Sequence, residues 1–514
     1  MTVTIATTTG AGIEATSNEE IIIVPEDVVL GDDNASPEIE VDGFNDVRIV
    51  VPGTIVNNDG GNQAPIYVAA GTTGTQITIE ETGHVSGETA IRSIDEDVAV
   101  SNYGVIESLD GTGLNLGGAS SVVNHGSISA DAIGNFATTA VNFGEGDGAE
   151  LVNYGTISAR YVGVETNGDN VRIQNFGVIS ARERAAIDLR GETSGHIVLN
   201  SGVVSSTNLG IYSFANDTFI SNTGEITGSL GLQYNSGTFA DITQSEVQNS
   251  GTIIGTEAEA IHVGEGDITI SNSGLISGAM RGIEAFVGSS GALNLINSGT
   301  IESRNLSQAV YSEDGDDMIL NTGQIIGDVR MGTGEDTFIT NGAGLTTGDV
   351  LLETGDDIAI GGASSDRISG GSDDDVIYGG GGVDVLEGGD DDDIILGGTG
   401  TDTITGGQGS DFLLGEDGAD VFLFTESTDS GAVAPDSILD FERGEDIIDF
   451  YTITETLQFI GEDSFSVSGQ DEIRVREIGG VLTVAEVDLG GNGTIDMEII
   501  IYGAVDMDRA DFGL

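Results

Sequence analysis

Cysteine and tryptophan are absent from this chain, and so is lysine. Without cysteine there are no disulfides, no thiolate metal sites and no cysteine nucleophile. Without lysine, Schiff-base chemistry, Walker-type phosphate loops and lysine isopeptide crosslinks are excluded. The 15 basic residues, all arginine, face 86 Asp and Glu, giving a formal charge of −71. A chain so acidic does not bind nucleic acid by neutralising phosphates. Proline is held to 5 residues and aromatics to 5%. No apolar run approaches the ~18 residues that a membrane helix requires, so no membrane span is expected. The opening segment MTVTIATTTGAGIEATSNEE has neither the basic nor the apolar region of a secretory signal peptide, which moves any export signal elsewhere.

Glycine is plentiful, at 81 of 514 residues, and apolar residues make up 38%. That is enough to build a core. Scarce proline with abundant Gly, Asn, Asp, Thr and Ile predicts strands joined by tight turns. At ~100–200 residues per domain, the length fits three or four domains or one long repeat array.

The motif Asn-x-Gly-x-Ile/Val recurs at Asn102, Asn124, Asn153, Asn175, Asn200, Asn222, Asn249, Asn272, Asn297 and Asn321. The mean interval of about 24 residues, with variable spacing, predicts a solenoid with loops of different length. Asn and Gly tolerate positive φ, so each motif is expected to turn a sharp corner, with the following Ile or Val facing inward. Gly53 and Gly83 are weaker echoes towards the N-terminus. Acidic turns precede several motifs, at Gly266-Asp267, Asn216-Asp217 and Gly315-Asp316-Asp317. Before residue 300 they read as solvated turns, with sporadic calcium binding the minority reading.

Residues 361–423 tile without gaps as seven nonapeptides, GGASSDRIS, GGSDDDVIY, GGGGVDVLE, GGDDDDIIL, GGTGTDTIT, GGQGSDFLL and GEDGADVFL. The sixth position is always Asp: Asp366, Asp375, Asp384, Asp393, Asp402, Asp411 and Asp420. Two nonapeptides make one coil of 18 residues, so Asp366, Asp384, Asp402 and Asp420 stack on one side. Asp357, Asp375, Asp393 and Asp411 stack on the other. Each stack is a like-charge column, repulsive unless a hard cation sits between successive carboxylates. Ca2+ takes 6–8 oxygens at about 2.3–2.6 Å, and Mg2+, which prefers tight octahedral geometry, fits worse. The carbonyls come from the glycine-rich turns, at Gly362, Gly371, Gly380, Gly382, Gly389, Gly398, Gly400, Gly407, Gly409 and Gly418. Ser364, Asp373 and Asp391 replace the fourth-position Gly and Glu416 the second, with little expected loss. Upstream, Asp317, Asp336 and Asp357 lie about one coil apart, so the solenoid is expected to pass into the calcium roll without a linker.

The nonapeptides resemble the calcium repeats of RTX proteins. The stretch GADVFLFTESTDS…DSILDFERGEDIIDF resembles the segment that follows such repeats in serralysin-type secreted metalloproteases. The resemblance continues through LQFIG, EVDLGGNGTIDMEI and the closing ADFGL. It covers residues 418–514 and, through the repeats, extends upstream to about 355. It implies a C-terminal cap, an uncleaved type I secretion signal at Asp511-Phe512-Gly513-Leu514, and a secreted, extracellular or cell-surface location. The four histidines, His84, His125, His196 and His262, are far apart in sequence and include no His-Glu-x-x-His zinc motif. Protease activity is therefore not expected from these residues. Asp488, Asn492 and Asp496 suggest one more calcium loop, although Gly490 stands where a third ligand is expected.

The fold class expected is all-β: a right-handed parallel β-helix continuing into a calcium-binding β-roll with a C-terminal β cap. The expected domains are 1–90 (cap or first coils), 91–345 (β-helix), 346–424 (RTX roll) and 425–514 (cap and secretion signal). Eight stacked Asp pairs would take up eight Ca2+, changing the formal charge from −71 to about −55. Extracellular calcium sites have Kd of about 10⁻⁴–10⁻³ M, so the roll is expected to stay unfolded inside the cell and to fold outside. The leading functional expectation is a structural or surface protein (S-layer, matrix fibre or adhesin subunit) that self-associates or meets surface polysaccharide. The second is a polyuronate lyase or epimerase on the β-helix, for which Tyr103, His125, Tyr154 and the arginines 160, 172, 182, 184 and 190 are the sparse candidates. The third is a calcium-dependent lectin or effector. An enzyme is the less favoured class.

Overall fold

Alternation of Ile and Val with small polar residues makes strands of two to seven residues, most of them burying every second side chain. The computed structural model describes residues 2–514 apart from 8–11, 32–36, 58–63, 95–96, 132–137, 192–194, 216, 235–244, 265, 287–290, 306 and 455. The acidic turn at Asn216 thus lies partly outside the described residues. The chain divides into two units, Met1–Glu284 and Ala285–Leu514.

In the first unit each coil runs through three strands, as in Val98–Asn102, Val105–Ser108 and Thr112–Leu116. Successive coils pair in parallel, in register: Asn102 faces Asn124, Asn124 faces Asn153, and Asn153 faces Asn175. Coils begin at Val3–Ile5, which pairs with Ile21–Ile23. The Ile or Val of each repeat stacks inward, as Ile106, Ile128, Ile157 and Ile179, all fully buried. This is a parallel β-helix.

The corners work differently from the expectation. Among the described residues, neither the repeat asparagines nor the repeat glycines take positive φ. Instead each Asn is buried and its amide forms a ladder: Nδ2 of Asn102 donates to Asn124 Oδ1 (2.7 Å) and Asn124 to Asn153 (2.8 Å). The ladder runs on to Asn272 within the unit. Each glycine is required because coils touch there: a Cβ on Gly126 or Gly155 would overlap the carbonyl oxygen of the preceding coil's glycine. Gly53 and Gly83 occupy the same column.

The second unit starts with three-strand coils, such as Met318–Asn321, Gln324–Ile326 and Asp328–Thr333. Its third sheet ends at Leu345–Thr346. From there each coil has two strands, and partners such as Ile358 with Val376 or Arg367 with Val385 are 18 residues apart, a two-sheet roll. The roll therefore grows directly out of the helix coils that carry Asp317 and Asp336. Three antiparallel strands, Glu472–Ile478, Leu482–Asp488 and Met497–Tyr502, form the cap, and the last joins the roll through Asp436–Ile438. A 3-10 turn, Arg509–Phe512, closes on the cap. Phe512 is buried against Phe459, and Arg443 binds Asp511 at 3.1 Å.

Candidate metal centre

The two aspartate columns are continuous. On one side the N–H of Asp317 donates to Asp336 Oδ1 (2.8 Å), Asp336 to Asp357 (2.6 Å) and Asp357 to Asp375 (2.9 Å). Asp375 donates to Asp393 and Asp393 to Asp411, both at 2.9 Å. On the other side Asp366 donates to Asp384, Asp384 to Asp402 and Asp402 to Asp420, each at 2.8 Å. Each Asp sits where a turn enters a strand, and the 18-residue coil places its successor directly below.

Two further carboxylates extend the columns. Asp411 donates to Asp436 Oδ1 and Asp420 to Asp446 Oδ1, both at 3.0 Å. Sequence reading missed these because separations of 25 and 26 residues replace the 18-residue spacing there. Their only sequence signal is an Asp just before an alternating apolar segment, in PDSIL and EDIID.

Eleven of the twelve column residues leave Oδ2 buried with no hydrogen-bond partner; in Asp446 it accepts from the Glu442 N–H at 2.7 Å. An unpaired buried carboxylate oxygen costs several kcal/mol, at an order-of-magnitude level. Burial, foremost, raises the pKa of Asp357, Asp366, Asp375 and Asp411 to about 7 and that of Asp393 to about 8. Asp317 and Asp336 are likewise raised to about 7, Asp384 and Asp420 to about 6, and Asp436 to about 9. Asp402 and Asp446 also shift upward through burial. The column carboxyls are therefore poised either to take up protons or to take up cations.

The glycines complete the cradle. A Cβ added at Gly379 would lie 2.6 Å from Asp384 Oδ2 and 2.7 Å from the Gly397 carbonyl oxygen. At Gly397 it would lie 2.7 Å from Asp402 Oδ2 and 2.9 Å from the Gly415 carbonyl. A carboxylate oxygen and a carbonyl of the next coil thus converge on the first-position glycines from Gly361 to Gly397, and at Gly406 and Gly415 the carboxylates of Asp411 and Asp420 do so. Sequence reading named the other glycines of the repeat. Of those, Gly362, Gly371, Gly380, Gly389, Gly398 and Gly407 have φ between 103 and 136°, a backbone region that glycine occupies without steric cost. Gly382, Gly400 and Gly409 also have positive φ, and a Cβ on Gly418 would overlap the Gly400 carbonyl. Asp373, Asp391 and Glu416 adopt positive φ (81, 77 and 63°), so these substitutions keep the turn at a strain cost. All-oxygen donors, paired carboxylates and a turn free of Cβ suit a hard divalent cation of calcium size.

The family model described as Peptidase M10 serralysin C terminal matches residues 283–513. Those residues are similar to the C-terminal domain of serralysins. The match concerns the C-terminal module of secreted proteases and extends over less than half of the chain. It begins well upstream of the nonapeptides, so Asp317 and Asp336 lie inside it. No curated protein matches the chain.

Other sequence candidates fall into place. In the 488–496 loop, Asp488 accepts from the N–H groups of Asn492 and Gly493 and Asp496 from Leu489, so the loop's own amides engage these carboxylates. Arg160, Arg182, Arg184 and Arg190 form ion pairs with Glu183, Asp131, Asp188 and Glu165. Tyr103, His125 and Tyr154 occupy exposed corners, where they stack with Phe176 at centroid distances of 4.7–4.9 Å.

Proposed function

We propose that this is a secreted structural protein of the cell surface or matrix, an S-layer, fibre or adhesin subunit, exported by type I machinery and folded by calcium outside the cell. The aspartate columns hold the calcium ions, which replace the missing disulfides as staples. Packing of Phe512 and Asp511 into the cap supports folding after export, because a signal in this segment is accessible only while the cap is unfolded.

The observation that carries the structural role is an apolar outer face on the module. Met318, Ile358, Val376, Ile394 and Phe412 line up in one column, 39–48% exposed. Leu320, Ile339, Ile360, Tyr378, Leu396 and Leu414 form a second column beside it. Contiguous exposed apolar surface on a chain this acidic fits a packing interface between subunits. Exposed carboxylates of Asp356, Asp374 and Asp392 run in an adjacent row, where calcium can also bridge molecules. Light scattering during a titration from EGTA to millimolar calcium tests this. Growth into sheets or filaments, abolished by Ile394→Asp with Phe412→Asp, is expected. A stable wild-type monomer at all calcium levels would refute it.

A second reading, binding or modification of a polysaccharide, is favoured by one polar column on the β-helix. Asn142, Glu165, Asp188, Tyr212, Gln233 and His262 stack in register. One polar side chain per coil, at the ~4.8 Å strand spacing, is close to the rise of an extended sugar chain. Binding and turnover of polyuronates decide this reading.

A further inference from the structure

At the lower end of that polar column three ligand-type side chains meet. His262 lies on the strand Ile261–Val263, Glu284 on Ile283–Ala285, and Glu259 in the turn before His262. The two strands belong to neighbouring coils, joined where Ile261 N–H donates to the Gly282 carbonyl at 3.0 Å. One ligand atom from each side chain lies within 4.8 Å of the others. His262 Nδ1 is 2.8 Å from Glu284 Oε2, and Arg281 binds Glu284 Oε1.

We propose that Glu259, His262 and Glu284 form a binding site for a first-row divalent transition metal such as Zn2+, separate from the aspartate columns and independent of the structural role proposed above. One observation beyond the cluster itself supports it. Glu259 is only 7% exposed, and its carboxylate, aimed at the cluster, accepts no hydrogen bond among the described residues. Its oxygens are therefore available to a cation. A neutral imidazole is a metal ligand once its proton moves to the other nitrogen.

The donor set decides the class of metal. One imidazole nitrogen and two carboxylate oxygens match Zn2+, Co2+ or Mn2+, with the remaining positions open to water or a substrate group. Calcium, which wants 6–8 oxygens, is poorly served. The two carboxylates neutralise a divalent charge. Arg281 is the competitor, because it holds the other oxygen of Glu284. Removing its guanidinium should therefore tighten metal binding, whereas a purely structural ion-pair cluster would only lose a partner.

The test uses the full chain saturated with calcium. Zn2+ is titrated by calorimetry, and Co2+ by its visible d–d absorption. One saturable site is expected above the weak background of the acidic surface, with a Co2+ spectrum typical of nitrogen and oxygen ligation. Glu259→Gln keeps the side-chain shape and should weaken that site about 100-fold or more, as should His262→Ala. Arg281→Gln should tighten it several-fold. Circular dichroism and protease resistance check that each variant is folded. An intact chain with no saturable Zn2+ site, or a site of unchanged affinity in folded Glu259→Gln, would overturn the proposal, and the Co2+ spectrum of the unaltered protein decides even if a variant misfolds.

Discussion

Asp393→Asn should reverse its effect on stability according to calcium. Asp393 stands mid-column, accepting from Asp375 and donating to Asp411. In the proposed calcium roll its carboxylate serves two inter-coil sites, 375/393 and 393/411. With calcium 100-fold above Kd, each site adds about 2.7 kcal/mol by linkage, so loss of two removes about 5 kcal/mol. With a urea m-value of about 2–3 kcal/mol/M, the unfolding midpoint falls by roughly 2 M. In EGTA the sign changes. There Asp393 is a buried acid pushed up to about 8 by burial, then by Asp411 and Asp375. Asn retains the hydrogen bond from Asp375 and carries no charge, so the calcium-free fold gains about 1–3 kcal/mol after allowing for the new amide donor. Urea unfolding followed by circular dichroism, in EGTA and in 10-mM-scale calcium, measures both arms. Equal midpoints for variant and wild type in calcium would refute the assignment of Asp393 as a shared ligand.

Three further outcomes follow from the same geometry. The column carboxyls have folded-state pKa values raised to about 6–9 against an ordinary ~3.8. Between those values the calcium-free fold binds more protons than the unfolded chain, so its stability is greatest below about pH 4–5 and is lost as pH rises towards 8. Urea midpoints in EGTA at pH 5 and pH 8 check the sign, and calcium uptake at pH 6–7 should release protons measurable by calorimetry in buffers of different ionisation enthalpy. Gly379→Ala places a carbon 2.6 Å from Asp384 Oδ2 and should reduce the bound calcium counted by equilibrium dialysis by one or two equivalents. Asn153→Ala removes one of the bonds made by Asn124 Nδ2, leaves Asn175 Oδ1 without its ladder donor, and should cost about 2–4 kcal/mol whether or not calcium is present, read by urea unfolding in EGTA.

Much of this architecture is legible because both repeats carry their geometry in their spacing. Variable intervals near 24 residues mean three-strand coils with adjustable loops, and a fixed nine means two-strand coils with none. The inward Ile of Asn-x-Gly-x-Ile could be placed from periodicity alone. The reason for the Asn could not, because an amide ladder exists only once coils are stacked and registered. Asp436 and Asp446 were hidden for the converse reason: they join the columns through space while breaking the period in sequence. The apolar outer face was also hidden, since Ile358 and Ile360 read as core until the structure shows Ala359 between them facing inward. The stack of Tyr103, His125, Tyr154 and Phe176 is another case, scattered in sequence and continuous in the coil register.

The central claim is that calcium folds the aspartate columns while the Asn-ladder coils hold together without it. Amide hydrogen exchange with and without calcium tests it most directly. In calcium, the amides of Asp357, Asp375, Asp393 and Asp411, each bonded to the next carboxylate, should be protected together with those of the Asn102–Asn272 coils. In EGTA at neutral pH, protection of residues 357–446 should fall by orders of magnitude, to the small residual stability that Asp393→Asn would raise, and should persist in the Asn-ladder coils. Undiminished protection of the roll in EGTA would contradict the account.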